Sequence, residues 1–278
     1  MTLTPPCSIS IAEKSETEHW LHGLRRTFSG GRYLTQVRQY DLAYRALSGA
    51  IRDAREIGDT NTAAFAVAAM SYLLLRQGRL DEAERVAVEA ADRVEPRIST
   101  AEPERLVVWG WLALASAASA VRNNRDDAAG EAGRIAASAA SALGVKPVGV
   151  QRFAGFDSTV VGMKTLEEEL IKSDGDPYRV IEESTDKAQL SDRALLKTPG
   201  LSGTDKNRHR LTVASAYIEV REFDKAFERL TAIENQQGAE WLRHQKDARD
   251  VMEKIARKRK RRLTGEQRHI MAILGVAA

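Results

Sequence analysis

Aromatic and arginine side chains recur at helical spacing in three parts of the chain, where together they could bind an acidic ligand. Aromatic rings offer a flat apolar surface, and guanidinium groups bind carboxylates through paired hydrogen bonds. Such residues suit a peptide with a carboxylate or an acidic small molecule. In the alternative interpretation, Phe65 and Trp111 belong to the core and the arginines are solvated. The candidate binding residues are Phe65, Tyr72, Arg76, Trp111, Arg122, Arg208, Ser215 and Glu219.

A second candidate site is the basic run KIARKRKRR near the end of the sequence, which could bind the phosphates of nucleic acid. The whole chain has 42 basic and 39 acidic residues, so it is slightly acidic once this run is set aside. No aromatic residue is interleaved to stack on bases, and no recognition helix is evident. The run also fits the basic end of a helix, a solvated tail or a surface for an acidic protein. Its basic residues are Lys254, Arg257, Lys258, Arg259, Lys260, Arg261 and Arg262.

Signatures of catalysis and of metal binding are missing from the sequence. It contains no phosphate-binding loop, no His-Glu-x-x-His motif and no Gly-x-Ser-x-Gly turn. His19 and His22 could place two ligands on one helical face, but zinc needs a third or fourth ligand, and Cys7 is the single cysteine. His209 and His244 could line a groove, although a surface role is commoner. We therefore expect a protein that is not an enzyme and has no cofactor or metal site.

The sequence has the features of a cytoplasmic protein. A single cysteine cannot form an internal disulfide, which is typical of a reducing compartment. The N-terminus lacks the basic start and apolar core of a signal peptide. The longest uncharged run, Leu106–Val121, is shorter than the about 20 residues that span a bilayer, so it predicts a buried helix rather than a membrane segment.

Three segments share one turn motif with an alanine at the same place. The best copy is Gly78–Ala83, and Asn124–Ala129 and Arg221–Ala226 repeat it. Weaker copies lie at Gln39–Ala43 and near Ser173–Pro177. A small side chain at a crossing lets two antiparallel helices approach, and stacked helix pairs share one core. The pattern therefore predicts an all-α fold, a solenoid of antiparallel helix pairs whose concave face comes from the first helix of each pair.

The segments on either side of these turns have the apolar spacing of helices. The predicted helices are Ala63–Gln77, Leu80–Val94, Pro103–Asn123, Asp127–Leu143, Lys206–Val220 and Asp224–Glu234. A degenerate pair is predicted at Asp157–Lys172 and Pro177–Lys187, with Asp176 as the cap of its second helix. The predicted domains are a partly disordered N-terminal extension (1–30), a repeat domain (31–253) and a basic C-terminal segment with a short terminal helix (254–278).

The turns resemble those of tetratricopeptide (TPR) repeats, in which a Gly-x-apolar-x-x-Ala elbow joins two helices. Ala90 and Pro96 also fit the TPR pattern in the best copy. The copies are spaced more widely than the about 34 residues of the standard repeat, which implies longer helices or inserted loops.

Two longer segments, Phe156–Lys164 and Arg208–Leu230, together with the following WLRHQKDARDVMEKIAR, give a narrower resemblance. They resemble the effector-sensing half of bacterial helix-turn-helix transcriptional regulators with TPR-like domains. The family pattern for the first segment is Phe-Gly-Pro-Thr-Asn-Val-x-x-His. Here Val160 replaces the Asn and Lys164 replaces the His, which implies a different ligand if those positions bind the effector. Too few residues precede the first predicted repeat helix for the DNA-binding domain of that family.

Taken together, these features predict a non-enzymatic TPR-like binding or sensor module. Its partner would be a peptide, a protein segment or a small effector on the concave face, in transcriptional regulation or signalling. A separate DNA-binding protein is a further candidate partner. One alternative is a nucleic-acid-binding protein that uses Lys254–Arg262, and another is a homodimer formed through Trp111 and the alanine-rich helices.

Overall fold

Helices form all of the regular structure in the described part of the chain. The computed structural model describes residues 27–144, 155–185, 188–198, 201–259 and 262–277, which contain thirteen α-helices and no β-strand. The predicted all-α class is therefore confirmed. The first six helices are α1 (27–36), α2 (Tyr40–Glu56), α3 (Thr60–Arg76), α4 (Leu80–Val94), α5 (Pro103–Arg122) and α6 (Asp126–Leu143). The others are α7 (Ser158–Glu169), α8 (Pro177–Glu183), α9 (Asp192–Lys197), α10 (Gly203–Glu219), α11 (Phe223–Arg243), α12 (Lys246–Arg259) and α13 (Gly265–Leu274).

Five of the connections between helices use the same backbone turn. In each, one residue adopts a left-handed conformation, and the N–H of the next residue donates to the carbonyl oxygen five positions back. This bond satisfies a carbonyl at the end of the first helix while the chain reverses. Successive helices consequently pack side by side. The left-handed residues are Arg38, Gly58, Gly78, Asn124 and Arg221.

A buried alanine follows each of these turns at the same sequence distance. Because this alanine lies in the first turn of the next helix, its small side chain allows close approach to the preceding helix. At one crossing the hydroxyl of Ser71 on α3 donates to the carbonyl oxygen of Ala83 on α4 over 2.7 Å. The sequence motif identified four of these turns but missed the one at Gly58, which has the same spacing. The alanines are Ala43, Ala63, Ala83, Ala129 and Ala226.

The degenerate pair predicted in the middle of the chain corresponds to α7 and α8. Asp176 caps α8 as predicted, because its carboxylate accepts the N–H of Tyr178 over 2.9 Å, and Pro177 follows as the first helical residue. Other bounds differ from the prediction. Helix α11 continues to Arg243, well beyond the predicted end at Glu234, and the short helix α9 was not predicted.

Two apolar clusters hold the helices together. The first joins buried side chains from α1 to α9, among them Leu47 and Leu112. The second joins α10 to α13, with Leu230 and Met252 fully buried in it. Helix α10 belongs to both clusters, because Ala216 packs in the first and Leu211 in the second. The domain boundaries predicted at residues 31 and 254 fall inside α1 and α12.

Candidate functional site

A cavity of about 130 Å³ lies where α1, α3, α5, α7 and α10 meet. Four of these five helices, α1, α3, α5 and α7, alternate along the chain with α2, α4 and α6, which supply none of the lining residues. Small and apolar side chains, including Ala69, Leu114 and Ala115, line part of it. The charged lining consists of Arg32, Arg122, Lys164, Glu167, Asp205 and Arg208.

Four aromatic rings contact one another in succession, and three of them, those of Phe28, Phe65 and Trp111, line this cavity. The ring centroids of Phe28 and Phe65 are 5.2 Å apart, those of Phe65 and Trp111 are 6.4 Å apart, and those of Trp111 and Phe156 are 6.1 Å apart. Every pair is tilted or edge-to-face, which are the favourable arrangements of aromatic rings. Each ring comes from a different segment, so the aromatic wall ties together α1, α3, α5 and the residues before α7.

Gly110 allows Phe156 to occupy its place behind this wall. A Cβ atom at Gly110 would lie 2.1 Å from Cζ of the Phe156 ring. The ring therefore packs directly on the backbone of α5 and supports the face of Trp111 that it contacts. Asp157 then begins α7, since its carboxylate accepts the N–H of Val160 over 2.9 Å.

Three charged side chains form a closed cluster at one end of the cavity. Glu167 accepts hydrogen bonds from Arg122 over 3.0 Å and from Lys164 over 2.8 Å. Burial would raise the pKa of Glu167, but the charges of Lys164 and Arg122 outweigh it and hold the pKa well below its usual range. Arg122 also donates to the carbonyl oxygen of Ala118 over 2.8 Å. Arg122 and Lys164 are thus largely paired with Glu167 within the cluster.

A different arrangement surrounds Arg208 on the α10 side. Its guanidinium lies over the ring of Tyr72, 5.1 Å from the centroid, and the phenolic oxygen of Tyr72 is buried without a hydrogen-bond partner among the described residues. Arg32 lies close enough for its charge to interact with that of Arg208. Burial lowers the pKa of Arg32, the charge of Asp205 opposes this, and the charge of Arg208 acts in the same direction as burial. Asp205, the third charge here, accepts a hydrogen bond from the hydroxyl of Ser202 over 2.5 Å.

The cavity carries more positive than negative charge. Four cationic side chains face two carboxylates, and one of those carboxylates is shared by Arg122 and Lys164. Burial would lower the pKa of Arg208, but Tyr72, Glu167 and Asp205 together raise it, so this guanidinium stays charged. Because partly buried charges are poorly screened, this surplus favours an anionic occupant.

A second, smaller pocket lies at His209 between α7 and α10 and shares Lys164, Glu167, Asp205 and Arg208 with the cavity. Val160 and Met163 line it together with Lys164. The Nε2–H of His209 donates to the carbonyl oxygen of Leu190 over 3.1 Å, and Nδ1 is buried without a partner among the described residues. Burial lowers the pKa of His209 to about 4, so the ring is neutral near pH 7. The expectation of a surface role for His209 is wrong, because the residue is buried.

Five of the eight residues predicted to bind a ligand line this single cavity: Phe65, Tyr72, Trp111, Arg122 and Arg208. The other three are not lining residues. Arg76 ends α3, Ser215 lies farther along α10, and Glu219 is exposed and accepts a hydrogen bond from Lys254 over 2.8 Å.

Sequence reasoning missed two of the segments that complete the cavity. Phe28 and Arg32 come from α1, where Thr35 and Gln36 also line the cavity at helical spacing. That spacing was a usable signal, but the predicted boundary at residue 31 divides the segment, and none of its residues is among the predicted binding residues. Glu167 on α7 is not among them either, although it lies in the charged cluster.

The basic run near the C-terminus is partly neutralised by neighbouring carboxylates. Lys254 pairs with Glu219, Arg257 with Glu253, and Arg259 with Asp224. Lys258 and Arg262 lie with Arg221 along a shallow groove beside the turn between α10 and α11. Lys260 and Arg261 fall outside the described residues, as do Cys7, His19 and His22.

Searches for other kinds of site within the described ranges give negative results. No group of three or more His, Cys, Asp or Glu side chains is placed to hold a metal ion there. None of the helices in those ranges has both the length and the apolar character needed to cross a bilayer. In comparisons with known proteins, no family model, no curated protein and no solved structure matches the chain.

Proposed function

We propose that this chain is a non-enzymatic TPR-like module that binds a small effector in the cavity between α1, α3, α5, α7 and α10. The observation that carries the proposal is the convergence on one cavity of an aromatic wall, a surplus of positive charge and the unpartnered hydroxyl of Tyr72. Binding pockets for small molecules typically combine an apolar lining with a few polar groups that converge.

The arrangement of the helices supports a stacked-pair architecture. Alternate helices line the cavity, and the same left-handed turn followed by a buried alanine recurs five times. In helical-repeat proteins, equivalent helices of successive repeats line one concave surface. We therefore interpret α1–α2, α3–α4 and α5–α6 as repeat pairs, with α10–α11 as a later pair.

The size of the cavity favours a small effector over a peptide. Its volume of about 130 Å³ is close to the roughly 150 Å³ of an apolar protein cavity that binds benzene. A peptide segment would require a longer open groove. Two positions of the regulator-like segment, Val160 and Lys164, line the smaller pocket beside the cavity, and Lys164 also lines the cavity itself. This placement supports a sensor role, in which a separate DNA-binding protein would transmit the signal.

A cavity-filling variant tests the proposal. Ala115→Leu adds bulk to the lining without changing charge, and Ala137→Leu makes the same change on the exposed face of α6. We would screen acidic, neutral and basic benzene derivatives against the full chain by ligand-observed NMR. Binding to the native chain and to Ala137→Leu, with loss in Ala115→Leu, is expected. The proposal fails if none of these compounds binds, or if Ala115→Leu binds them as well as the native chain does.

The groove beside the basic run favours nucleic-acid binding as a second candidate function. Arg221, Lys258 and Arg262 line it together with Arg259, Glu222 and Asp224, and neither Lys258 nor Arg262 forms an ion pair with a described residue. Such cations can bind phosphates regardless of base sequence.

A further inference from the structure

We infer that the effector is a small aromatic carboxylic acid whose carboxylate lies between Arg32, Arg208 and the hydroxyl of Tyr72. This inference rests on the proposed function and names the ligand class of the same cavity. Three observations lead to it: two guanidinium groups without a carboxylate partner, a buried hydroxyl without a partner, and rings placed to contact an aromatic body.

The two guanidinium groups form no ion pair of their own, although the charge of Asp205 acts on both. Neither Arg32 nor Arg208 lies within ion-pair distance of a carboxylate among the described residues. Glu167 is bound by Arg122 and Lys164. Because two like charges in a partly buried site repel each other, an anion placed between Arg32 and Arg208 would be held strongly.

The hydroxyl of Tyr72 belongs to a residue that lines the same cavity. It is buried and unpartnered, and the ring that carries it is covered by the guanidinium of Arg208 at 5.1 Å. A buried hydroxyl that lacks a hydrogen bond is costly, so native structures usually provide a partner. A carboxylate beside Arg208 would accept this O–H and remove the cost.

The aromatic residues of the lining fit the rest of such a ligand. Phe28, Phe65 and Trp111 line the cavity with their rings tilted to one another, and the guanidinium of Arg32 lies 5.8 Å from the centroid of the Phe28 ring. The volume of about 130 Å³ is close to that of a protein cavity that binds one benzene ring. A planar carboxylate adds little bulk to such a ring, whereas a tetrahedral phosphate adds more. These properties select a single-ring carboxylic acid.

Benzoate, benzamide and phenyl phosphate test the inference by calorimetric titration of the full chain. Benzamide has the shape of benzoate without its charge, and phenyl phosphate carries a different anion. We expect benzoate to bind at least about tenfold more tightly than either, which is the ratio for one charged hydrogen bond. Arg208→Gln and Arg32→Gln should each reduce the preference for benzoate over benzamide by about tenfold, and Tyr72→Phe should reduce it less. Arg76→Gln on the same helix as Tyr72 should leave it unchanged.

The outcomes separate this inference from the function on which it rests. If benzamide or phenyl phosphate binds as tightly as benzoate, or if both arginine variants keep the preference, the inference is overturned. If none of the three binds, the inference is also overturned, while binding of other compounds in the NMR screen would leave the proposed function standing. Thermal melts of Arg32→Gln and Arg208→Gln identify any variant that does not fold. If one of them does not fold, the preference for benzoate over benzamide in the other variant tests the inference.

Discussion

Trp241 on α11 donates a hydrogen bond from its indole N–H to the side-chain oxygen of Gln36 on α1, over 3.2 Å. The two residues are 205 positions apart. Gln36 also lines the cavity, one turn of α1 away from Arg32. The first helix is therefore fixed both to the second apolar cluster, through Trp241, and to the aromatic wall, through Phe28. A ligand held by Arg32 and Arg208 would bridge the same two parts of the chain.

The bond between Trp241 and Gln36 should be measurable as a coupling energy. We would make Trp241→Phe, Gln36→Leu and the double variant, and measure the free energy of unfolding in urea. Each single variant removes one neutral hydrogen bond and should destabilise the protein by about 1 kcal/mol. The coupling in the double-mutant cycle should be about 0.5–1.5 kcal/mol. Effects that simply add would show that this contact does not hold α1 in place.

Gly110→Ala should destabilise the protein because the new methyl group would overlap the ring of Phe156. Overpacking of this kind costs roughly 1–3 kcal/mol. Gly133→Ala on α6 is the matched control, since no atom lies within 4 Å of its added Cβ. In a helix that change should instead stabilise by up to about 1 kcal/mol. Thermal melts should show a lower melting temperature for Gly110→Ala and an unchanged or higher one for Gly133→Ala. Equal changes in melting temperature for the two variants would contradict the packing of Phe156 on α5.

Local features made part of this fold predictable. The turns at Gly78, Asn124 and Arg221 are determined by a left-handed residue and a nearby alanine, which lie within six positions of each other in the sequence. The turn at Gly58 was missed, although its left-handed glycine and Ala63 have the same spacing as Gly78 and Ala83 in the best copy.

The cavity could be predicted only in part, for a physical reason. Phe65, Tyr72 and Trp111 share helical register with the motif, so counting from the alanines placed them on one face. The approach of Arg32 to Arg208 depends on how α1 and α10 meet, and no local pattern reports a contact between segments so far apart. The same holds for Glu167, whose partner Arg122 comes from another helix.

The groove beside the basic run predicts how salt should affect nucleic-acid binding, if it is a nucleic-acid site. Fluorescence anisotropy with a labelled 20-base-pair duplex would be followed from about 50 to 200 mM salt. Replacing Lys258 and Arg262 by Gln together should lower the slope of log K against log salt by about 2. Lys254→Gln is the control, because its ammonium already pairs with Glu219 and should change the slope less. An intact chain without salt-sensitive binding would rule out this function.

Glu168 makes the stability of the fold depend on pH. Its side chain is only 8% exposed, and one carboxylate oxygen has no hydrogen-bond partner among the described residues. Burial, with the charge of Glu167 acting in the same direction, raises the pKa of Glu168 to about 7. The folded protein therefore binds this proton more tightly than the unfolded chain. Between pH 4.5 and 7 the contribution of Glu168 to stability falls as pH rises.

Replacing Glu168 by Gln should remove this dependence. The variant should gain stability relative to the native chain as pH rises through this range, by on the order of 3 kcal/mol at pH 8. His209, whose pKa is lowered to about 4, acts in the opposite direction below pH 6.5, so the native curve alone would conceal the effect. Urea unfolding of both proteins from pH 5 to 8 gives the difference directly, and Glu182→Gln on the exposed side of α8 should show none. A flat difference for Glu168→Gln would mean that this carboxyl reaches solvent or a partner in the folded protein.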